Sequence, residues 1–265
     1  MKLKYTTVIL MFFIAFAIPV NGQKTLAKIL KSGEIRIGLT GNQPPFNMKS
    51  KSGELMGFEV DLANVLANGI GVKLTTVVMP FSELLPALEA GKIDAVMSGM
   101  TVTSERSVKA LFAGPYTISG KSILAKSSVL SKLKGTEEAN NENYKISCLK
   151  GSTSEAFVKK YMPKAQAIPV SNYDEGIAMI LSDQADAMVA DYPICVITIM
   201  RNQGKDLVTL EGPLNIEPIG MALPADDLHF HNLVENYLKA FDLAGALKII
   251  DDKWLKDGSW LFSME

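Results

Sequence analysis

The 265-residue sequence is poor in the residues that build metal centres and disulfide frameworks. It contains two cysteines, Cys148 and Cys195, and two histidines, His229 and His231. The histidines flank Phe230 at a predicted helix start, without acids or cysteines at a recognisable ligand spacing, so we predict no metal site. Each cysteine could be a small buried apolar residue or half of a disulfide, and the sequence leaves both possibilities open.

The sequence also lacks an excess of charge of either sign. Its 27 Lys and Arg residues are matched by 28 Asp and Glu residues, which argues against the basic surface of a nucleic-acid-binding protein. Low-complexity tracts are missing and 48% of the residues are apolar, which predicts a folded globular chain. Neither a Ser-His-Asp set nor a phosphate-binding or dinucleotide-binding glycine pattern occurs, so we predict no cofactor.

The one long apolar run lies at the N-terminus. Two of the first four residues are lysines, an apolar stretch extends from Val8 to about Val20, and Gly22 follows. This order is typical of a cleaved secretory signal peptide, and the run is short for the alternative, an uncleaved membrane anchor. We therefore predict that residues 1–22 direct export and that the mature chain is a soluble protein of the periplasm.

After this run, predicted strands and amphipathic helices alternate in two similar units. A β-α-β-α-β pattern fits residues 33–99, and a matching pattern fits residues 144–202. Two extended segments, GKSILAKSS and GPLNIEPIGMALP, would cross between the units, and two helices remain at the C-terminus. The pattern predicts an α/β fold with mainly parallel sheets, in which two βαβ lobes are joined by a two-strand hinge with a cleft between them.

The crossing segments set the predicted lobe boundaries. Lobe 1 would comprise residues 23–120 and, after the second crossing, residues 215–265. Lobe 2 would comprise residues 121–214. A chain that leaves a lobe and later returns to complete it is joined to the other lobe twice, which predicts a hinge rather than a flexible linker.

Polar residues follow several of the predicted strands, at the position where open α/β sheets bind ligands. Hydroxyl residues and Arg106 follow the strand IDAVM, Gly151 to Thr153 follow YKISCLK, and Asp191 follows ADAMVA. An arginine matches a carboxylate through its two-pronged fork, and helix N-terminal amides favour the same anion. An aspartate and a hydroxyl can accept from an ammonium group, so the combination suits an α-amino acid.

Six segments then occur in a specific order and spacing: RIGLTGNQPPF, GFEVDLA, LLPALEAGKIDAVMSGMTVTSERS, FAGPYTISG, LKGSTSEAF and ADAMVADYP. In this order, from about Lys31 to Leu261, the chain resembles the polar amino acid type of bacterial extracellular solute-binding protein, the periplasmic component of ABC importers. The resemblance implies the two-lobed type II periplasmic-binding-protein fold with hinge closure. It also implies an ABC transporter permease in the inner membrane as partner, and a monomer.

The resemblance further assigns nine residues to ligand binding. Arg106 would pair with the α-carboxylate, helped by backbone amides near Thr101 and Thr153. Asp191, the hydroxyl of Thr101 and the backbone carbonyl of Ser98 would hold the α-ammonium. The remaining members would line the cleft: Phe46, Phe81 beside the ligand side chain, Thr40 and Gln43.

A structural interpretation is open for several of these residues. Arg106 could be a solvated helix residue, Asp191 could be the N-cap of the following helix, and the two phenylalanines could belong to the core.

Departures from the family pattern bear on specificity. Thr40 stands where binders of basic amino acids place an aspartate, Gln43 where they often have tyrosine, and Gly99 where some relatives carry a serine. Since a cationic side chain would be buried without an acidic partner, at substantial cost, we predict a ligand with a neutral side chain.

Two other functions remain open. The fold also resembles the exported cyclohexadienyl dehydratases, whose segment after the first strand likewise begins with Thr-Gly. Such an elimination needs a general acid, for which Glu155 and Glu217 are the candidates near the cleft besides Asp191. A ligand-sensing domain is the third possibility.

Overall fold

The computed structural model describes residues 24–133 and 135–264, so the predicted signal peptide lies outside the described residues. Two five-stranded sheets form the framework. A separate small sheet of three strands is formed by residues early in the chain. Within the described residues, no helix is long and apolar enough to cross a membrane.

The first half of the chain builds most of one sheet. Its strands β1 and β5 run parallel, as do β1 and β6, which agrees with the predicted βαβ pattern. The two- and three-residue strands β2, β3 and β4 were not predicted, since they are too short for a period-2 pattern to register. In order, the elements are α1 (Lys24–Ser32), β1 (Glu34–Leu39), β2 (Asn42–Gln43), β3 (Asn47–Lys49), β4 (Leu55–Met56), α2 (Phe58–Ile70), β5 (Lys73–Val78), α3 (Phe81–Glu89), β6 (Ala95–Val96), α4 (Ser104–Ser107) and β7 (Ala110–Ser119).

The middle of the chain builds the second sheet, with strand order β10-β9-β11-β8-β12. Strand β9 is parallel to β10 and β11, whereas β8 is antiparallel to both β11 and β12. The elements are β8 (Lys121–Lys126), α5 (Ser127–Leu130), α6 (Thr136–Ala139), β9 (Lys145–Leu149), α7 (Thr153–Tyr161), β10 (Gln166–Val170), α8 (Tyr173–Leu181), β11 (Ala187–Asp191), α9 (Tyr192–Arg201) and β12 (Leu207–Thr209).

The last part of the chain returns to the first sheet. Strand β13 (Glu217–Pro224) lies between β6 and β7 and is antiparallel to both, and α10 (Leu228–Leu243) and α11 (Ala246–Asp251) follow. Both sheets are therefore mixed: in each of them one strand runs against the other four, β13 in the first sheet and β8 in the second. We call the elements of the first sheet lobe 1 and those of the second lobe 2; the residue boundaries drawn from the sequence stay predictions.

Helical spacing of apolar residues explains how lobe 1 packs. Phe58, Leu62 and Leu66 recur every four residues along α2 and are fully buried, as that period predicts. Helix α2 ends at Gly71, whose φ of 77° is the left-handed conformation that glycine adopts at helix ends. These residues share one apolar cluster with α10, while a second cluster contains residues of both lobes. The two lobes are therefore in contact, in a closed arrangement.

Candidate functional site

The cleft lies where the chain passes from one sheet to the other. The loop after β6 runs beside β13 and pairs with it: the Val102 amide donates to the Pro218 carbonyl at 2.8 Å, and the Gly220 amide donates to the Met100 carbonyl at 3.0 Å. This pairing fixes Thr101 next to the start of β13. The loop thus brings lobe 1 hydroxyls to the strand that returns from lobe 2.

Arg106 lies in the one-turn helix α4, and the Thr103 hydroxyl caps this helix by accepting from the Arg106 amide. The guanidinium is buried and donates to the carbonyl oxygens of Thr101 at 2.9 Å and Gly151 at 3.3 Å. Its carbon lies 5.4 Å from the centre of the Phe81 ring. Arg106 is therefore not a solvated helix residue: it is held across both lobes, with further N–H groups for an anion.

Burial lowers the pKa of Arg106 from its ordinary value, against the opposing effect of the Glu217 and Asp191 charges. The guanidinium nevertheless stays cationic, because arginine is protonated throughout the physiological range. It borders two adjoining cavities of about 200 and 240 Å³, both lined by Leu85, Lys109 and Gly151. The cation is therefore open to a small ligand at the mouth of the cleft.

Thr101 of lobe 1 and Thr153 of lobe 2 meet across the cleft. Their hydroxyl oxygens are 3.2 Å apart, and both hydroxyls donate to Oε2 of Glu217, at 2.7 and 2.8 Å. Thr153 begins α7, where the Ser152 hydroxyl oxygen accepts from the amides of Ser154 and Glu155. Glu217, named from the sequence as a candidate general acid of the dehydratase alternative, thus joins the two lobes.

Asp191 ends β11, and its side chain is directed away from the helix that follows. In the described residues it makes no cap hydrogen bond to α9, although it occupies the N-cap position. Its Oδ1 accepts from Ser119 Oγ at 3.2 Å and from Lys121 Nζ at 2.8 Å. The same ammonium lies 2.9 Å from Glu217 Oε2. Asp191 is therefore the N-cap residue of α9 by position, but its carboxylate belongs to a buried cluster of charges instead of capping the helix.

Lys121 is the residue of this cluster that sequence reasoning missed. It lies directly opposite Asp191 in the antiparallel β8–β11 pair, and side chains of facing residues lie on the same side of a sheet. Its side chain is only 1% exposed. A lysine at the start of a crossing strand carries no local signal of burial, so only the strand register could have identified it.

The pKa of the Glu217 carboxyl group is affected by Lys121. Burial acts to raise the pKa of Glu217, but the charge of Lys121 and the hydrogen bonds from Lys121 and the two threonines outweigh burial, and the pKa is lowered. Glu217 is therefore an ionised carboxylate at neutral pH. An ionised carboxylate accepts hydrogen bonds and donates none.

A second polar group surrounds Ser98. The Ser98 hydroxyl donates to Oε1 of Gln43 at 2.5 Å, and its oxygen accepts from the Thr40 amide at 3.1 Å. Thr40 in turn donates its hydroxyl to Oδ1 of Asn47 at 3.0 Å. Tyr173 of lobe 2 reaches Gln43 with its side chain. The predicted residues Thr40, Gln43 and Ser98 are thus brought together, and they are all neutral.

Glu59, in α2, lies behind this group and was not predicted to take part. Its carboxylate is fully buried and accepts from Asn47 Nδ2 at 2.6 Å, from the Gly99 amide at 2.6 Å and from the Tyr116 hydroxyl. Burial raises the pKa of Glu59 despite these hydrogen bonds. The carboxylate is used to hold the loops around Asn47 and Gly99 in place.

Aromatic side chains form the walls between the two polar groups. Phe46 and Phe81 of lobe 1 and Tyr173 of lobe 2 are buried in the apolar cluster that contains residues of both lobes. The predicted phenylalanines are therefore at the lobe interface as well as in the core. Their contact with a ligand stays a prediction, as does the binding role of the other seven predicted residues.

Among the described residues, the cysteines form no disulfide and the possible metal ligands form no metal site. Cys148 and Cys195 are free, buried thiols in this structure, and burial raises the pKa of each to about 12. Among the residues that the structure describes, no group of three or more His, Cys, Asp and Glu side chains is arranged to hold a metal ion. The His231 ring instead lies 2.9 Å from the carbonyl oxygen of Phe112.

The chain is similar to a known protein family and to several of its relatives. Residues 35–257 match the bacterial extracellular solute-binding proteins, family 3. The glutamine-binding protein GlnH of a Bacillus subtilis ABC transporter is 30% identical over 237 residues, which cover 88% of this chain and 85% of GlnH. Cyclohexadienyl dehydratase of Pseudomonas aeruginosa is 26% identical over 234 residues, 88% of this chain and 87% of the enzyme.

Solved structures agree. The crystal structure of the ancestral amino acid-binding protein AncCDT-1, described as a precursor of cyclohexadienyl dehydratase, is 36% identical. It superposes with a TM-score of 0.82 and covers 88% of this chain and 100% of its own. The predicted two-lobed type II fold is confirmed by this similarity. The chain belongs to the bacterial extracellular solute-binding proteins, family 3.

Proposed function

We propose that the mature protein is a periplasmic monomer that binds one α-amino acid with a neutral side chain between its lobes. The closed, loaded form delivers the amino acid to an ABC transporter permease in the inner membrane. The observation that carries the proposal is the presence of a buried arginine and a buried aspartate, Arg106 and Asp191, in one cleft but on opposite lobes. A zwitterion satisfies both charges.

Arg106 supplies the anion-binding end. Two of its five N–H groups are used to fix the guanidinium on the carbonyl oxygens of Thr101 and Gly151. The remaining donors suit the two oxygens of an α-carboxylate, which an arginine binds in a forked geometry. The start of α7 at Thr153 adds amides and the positive end of a helix dipole.

Asp191, Thr101 and the backbone carbonyl of Ser98 supply the end that binds the α-ammonium. Asp191 is buried on lobe 2, whereas Thr101 and Ser98 are buried on lobe 1. A ligand that touches both lobes binds the closed form more tightly than the open form, and this difference in affinity shifts the hinge equilibrium toward closure.

Neutral groups surround the place of the ligand side chain. Thr40, Gln43 and Ser98 carry no charge, and the Glu59 carboxylate behind them is occupied by its own donors. Relatives in the family bind different amino acids, so specificity rests on such local differences. A lysine or arginine ligand would bury a cation beside these neutral groups without an ion pair, which is unfavourable.

A dehydratase is the second candidate, because one relative is a cyclohexadienyl dehydratase. Elimination of water needs an acid that holds a proton at working pH. Glu217 is the acid in the cleft that contacts residues of both lobes, and its lowered pKa makes it a poor proton donor. Glu155 donates nothing to the cleft either: its carboxylate accepts from Lys159 and from the Gly151 amide. Binding without chemistry is therefore favoured.

Thermal unfolding of the mature protein, stripped of bound ligand by unfolding and refolding, tests the proposal. The protein is screened against the twenty protein amino acids, arogenate and prephenate, because a ligand of the folded state raises the unfolding midpoint. We expect one or a few neutral amino acids to raise it, and Arg106→Ala to abolish the response.

Lys92→Ala is the matched control, since it removes an exposed positive charge of lobe 1 that lines neither of the two cavities beside Arg106. It should keep the response. A response to arogenate or prephenate alone, with consumption of the compound, would show that the protein is an enzyme.

A further inference from the structure

Glu217 is the carboxylate through which both lobes and both crossing strands meet. It is the first residue of β13, the strand that returns to lobe 1. Its Oε2 accepts from Thr101 of lobe 1 and Thr153 of lobe 2 and contacts the ammonium of Lys121, the first residue of β8. Its Oε1 accepts from Asn215 Nδ2 at 3.1 Å. Both oxygens are thus occupied by groups of the protein, so Glu217 acts on a ligand through its neighbours.

The direction of these hydrogen bonds is fixed by charge. Lys121 keeps Glu217 ionised, and an ionised carboxylate only accepts. Each threonine hydroxyl has one hydrogen, and that hydrogen is committed to Glu217. Toward the rest of the cleft, Thr101 and Thr153 therefore present lone pairs and can only accept.

Asp191 adds a further acceptor to the same place. Both contacts described for its carboxylate, from Ser119 and Lys121, are made by Oδ1. Within residues 24–133 and 135–264, this leaves Oδ2 for a ligand. Lys121 thus contacts two carboxylates, Asp191 through Oδ1 and Glu217 through Oε2, and Glu217 in turn accepts from Thr101.

We propose that Glu217, held by Lys121, is a specificity-determining residue that makes the cleft accept only a ligand with hydrogen-bond donors on Cα. An α-amino acid would bind, a 2-hydroxy acid with the same side chain would bind more weakly, and a 2-oxo acid would be rejected. The proposal rests on the proposed function, since it concerns the ammonium end of that site.

The expected order of affinities follows from the number of hydrogen-bond donors that each ligand carries on Cα. An ammonium group offers three N–H donors to the acceptors of Asp191 and Thr101, whereas a hydroxyl offers one. A 2-oxo group offers none, and its oxygen would face acceptor oxygens and leave them unpaired. Sites built around buried hydrogen-bonding groups reject analogues that lack the partner far more strongly than apolar pockets do.

Calorimetric titration of the full mature protein tests this proposal. The amino acid that binds most tightly among the twenty is titrated first, followed by the 2-hydroxy and 2-oxo acids with its side chain. We expect the amino acid to bind at least about 100-fold more tightly than the 2-oxo acid, with the hydroxy acid between them. Equal affinity for the amino and 2-oxo acids would overturn the proposal.

Glu217→Gln tests the assigned residue. The amide can donate as well as accept, so the threonine hydroxyls are free to turn toward a ligand oxygen. We expect the ratio of amino acid to 2-oxo acid affinity to fall at least about tenfold, whereas Glu175→Gln, the same change at an exposed helix start, should keep it. An unchanged ratio in Glu217→Gln would contradict the assignment.

Two further variants keep the test decisive if Glu217→Gln does not fold. Thr101→Val removes the acceptor that Glu217 orients and should lower the ratio, whereas Thr101→Ser keeps the hydroxyl and should preserve it. If these two variants have the same ratio, the proposal is wrong. Failure of the proposed function is a separate result, because the wild-type protein would then bind none of the twenty amino acids.

Discussion

Two buried glutamates of lobe 1 accept hydrogen bonds from similar numbers of groups but differ in charge environment. Glu59 accepts from Asn47, Gly99 and Tyr116, all of which are neutral donors, and burial raises its pKa. Glu217 also accepts from neutral side chains, but its pKa is lowered. Hydrogen bonds from neutral groups therefore do not by themselves offset the effect of burial on the pKa of a carboxylate here.

The difference between them is the ammonium of Lys121, 2.9 Å from Glu217. The charge of Lys121 and the hydrogen bonds from Lys121 and the two threonines together outweigh the effect of burial on the pKa of Glu217. Glu59 thus serves to hold the loops of one lobe, whereas Glu217 sets the direction of hydrogen bonds in the cleft. The cation separates a structural acid from one that can shape ligand recognition.

Removal of the cation should have the largest effect. Lys121→Met leaves Asp191 and Glu217 buried beside each other without a counter-ion, and breaking a buried pair in this way costs about 3–5 kcal/mol of unfolding free energy. Urea unfolding at pH 8 measures this loss. It should be smaller at pH 5, because the pKa of Glu217 rises once Lys121 is gone and the carboxylate can take up a proton.

Lys28→Met is the matched control for this variant. Lys28 also pairs with a buried carboxylate, that of Asp94 at 3.3 Å, but the lysine side chain is 51% exposed. Its replacement should therefore cost at most about 1 kcal/mol. Equal losses in the two variants would remove the distinction that we draw between Glu217 and Glu59.

The pH dependence of stability should have opposite signs at the two glutamates. For Glu217, whose folded-state pKa lies below the ordinary 4.5, stability is present above the unfolded pKa and is lost as the pH falls through the folded pKa. For Glu59, whose folded-state pKa lies above 4.5, stability is present below the unfolded pKa and is lost as the pH rises through the folded pKa.

Glutamine substitutions at Glu217 and Glu59 make the two opposite pH dependences measurable. We expect each to lower the unfolding free energy by about 1–3 kcal/mol, since each leaves a buried donor without its acceptor. The loss in Glu217→Gln should shrink as the pH is lowered below 4.5, and the loss in Glu59→Gln should shrink as the pH is raised above it. Urea unfolding from about pH 3 to pH 8 follows both. Slopes of the same sign would refute the opposite directions of the two pKa shifts.

Replacement of Gly151 tests whether amino acid binding depends on close contact between the two lobes. Its φ is 74°, and a Cβ there would lie 3.1 Å from Cβ of Ser82 on the opposite lobe. Gly151→Ala should strain the loop by about 1 kcal/mol and crowd the closed form, which together should weaken amino acid binding about tenfold. Calorimetric titration measures the affinity, with Gly53→Ala as control.

Gly53 also has a positive φ, of 81°, but no atom lies within 4 Å of the position of its Cβ among the described residues. Its replacement should lower the unfolding free energy to a similar extent while leaving affinity unchanged. Equal weakening by both variants would mean that lobe contact at Gly151 does not matter.

Much of the fold could be predicted because its elements carry local patterns. The spacing of Phe58, Leu62 and Leu66 located α2, and the repeated helix–strand order located both sheets. The mixed direction of the sheets could not be read in this way. It arises from β8 and β13, whose direction is set by the crossings between the lobes, and these crossings leave no period in the sequence.

Site residues could be predicted from the sequence where they follow a strand. They could not be predicted where their position depends on how two strands pair. Arg106, Thr101 and Asp191 stand directly after strands or in the loops that follow them, and the structure brings them into one cleft. Lys121 is placed by its register against Asp191, which requires the paired sheet. Glu59 looks like any acid in the first turn of a helix, and only burial shows that it is different.

Ser119 gives the smallest of the expected effects and separates hydrogen bonding from charge in the Asp191 cluster. Ser119→Ala removes one hydrogen bond to a carboxylate that keeps its ion pair with Lys121. We expect a loss of about 1 kcal/mol in unfolding free energy, well below that of Lys121→Met. Ser122→Ala, which removes a 2.9 Å hydrogen bond between the neutral hydroxyls of Ser122 and Thr209, should cost about half as much by the same measurement. A loss in Ser119→Ala as large as that in Lys121→Met would mean that hydrogen bonds, rather than the cation, hold this carboxylate in place, and the contrast with Glu59 would disappear.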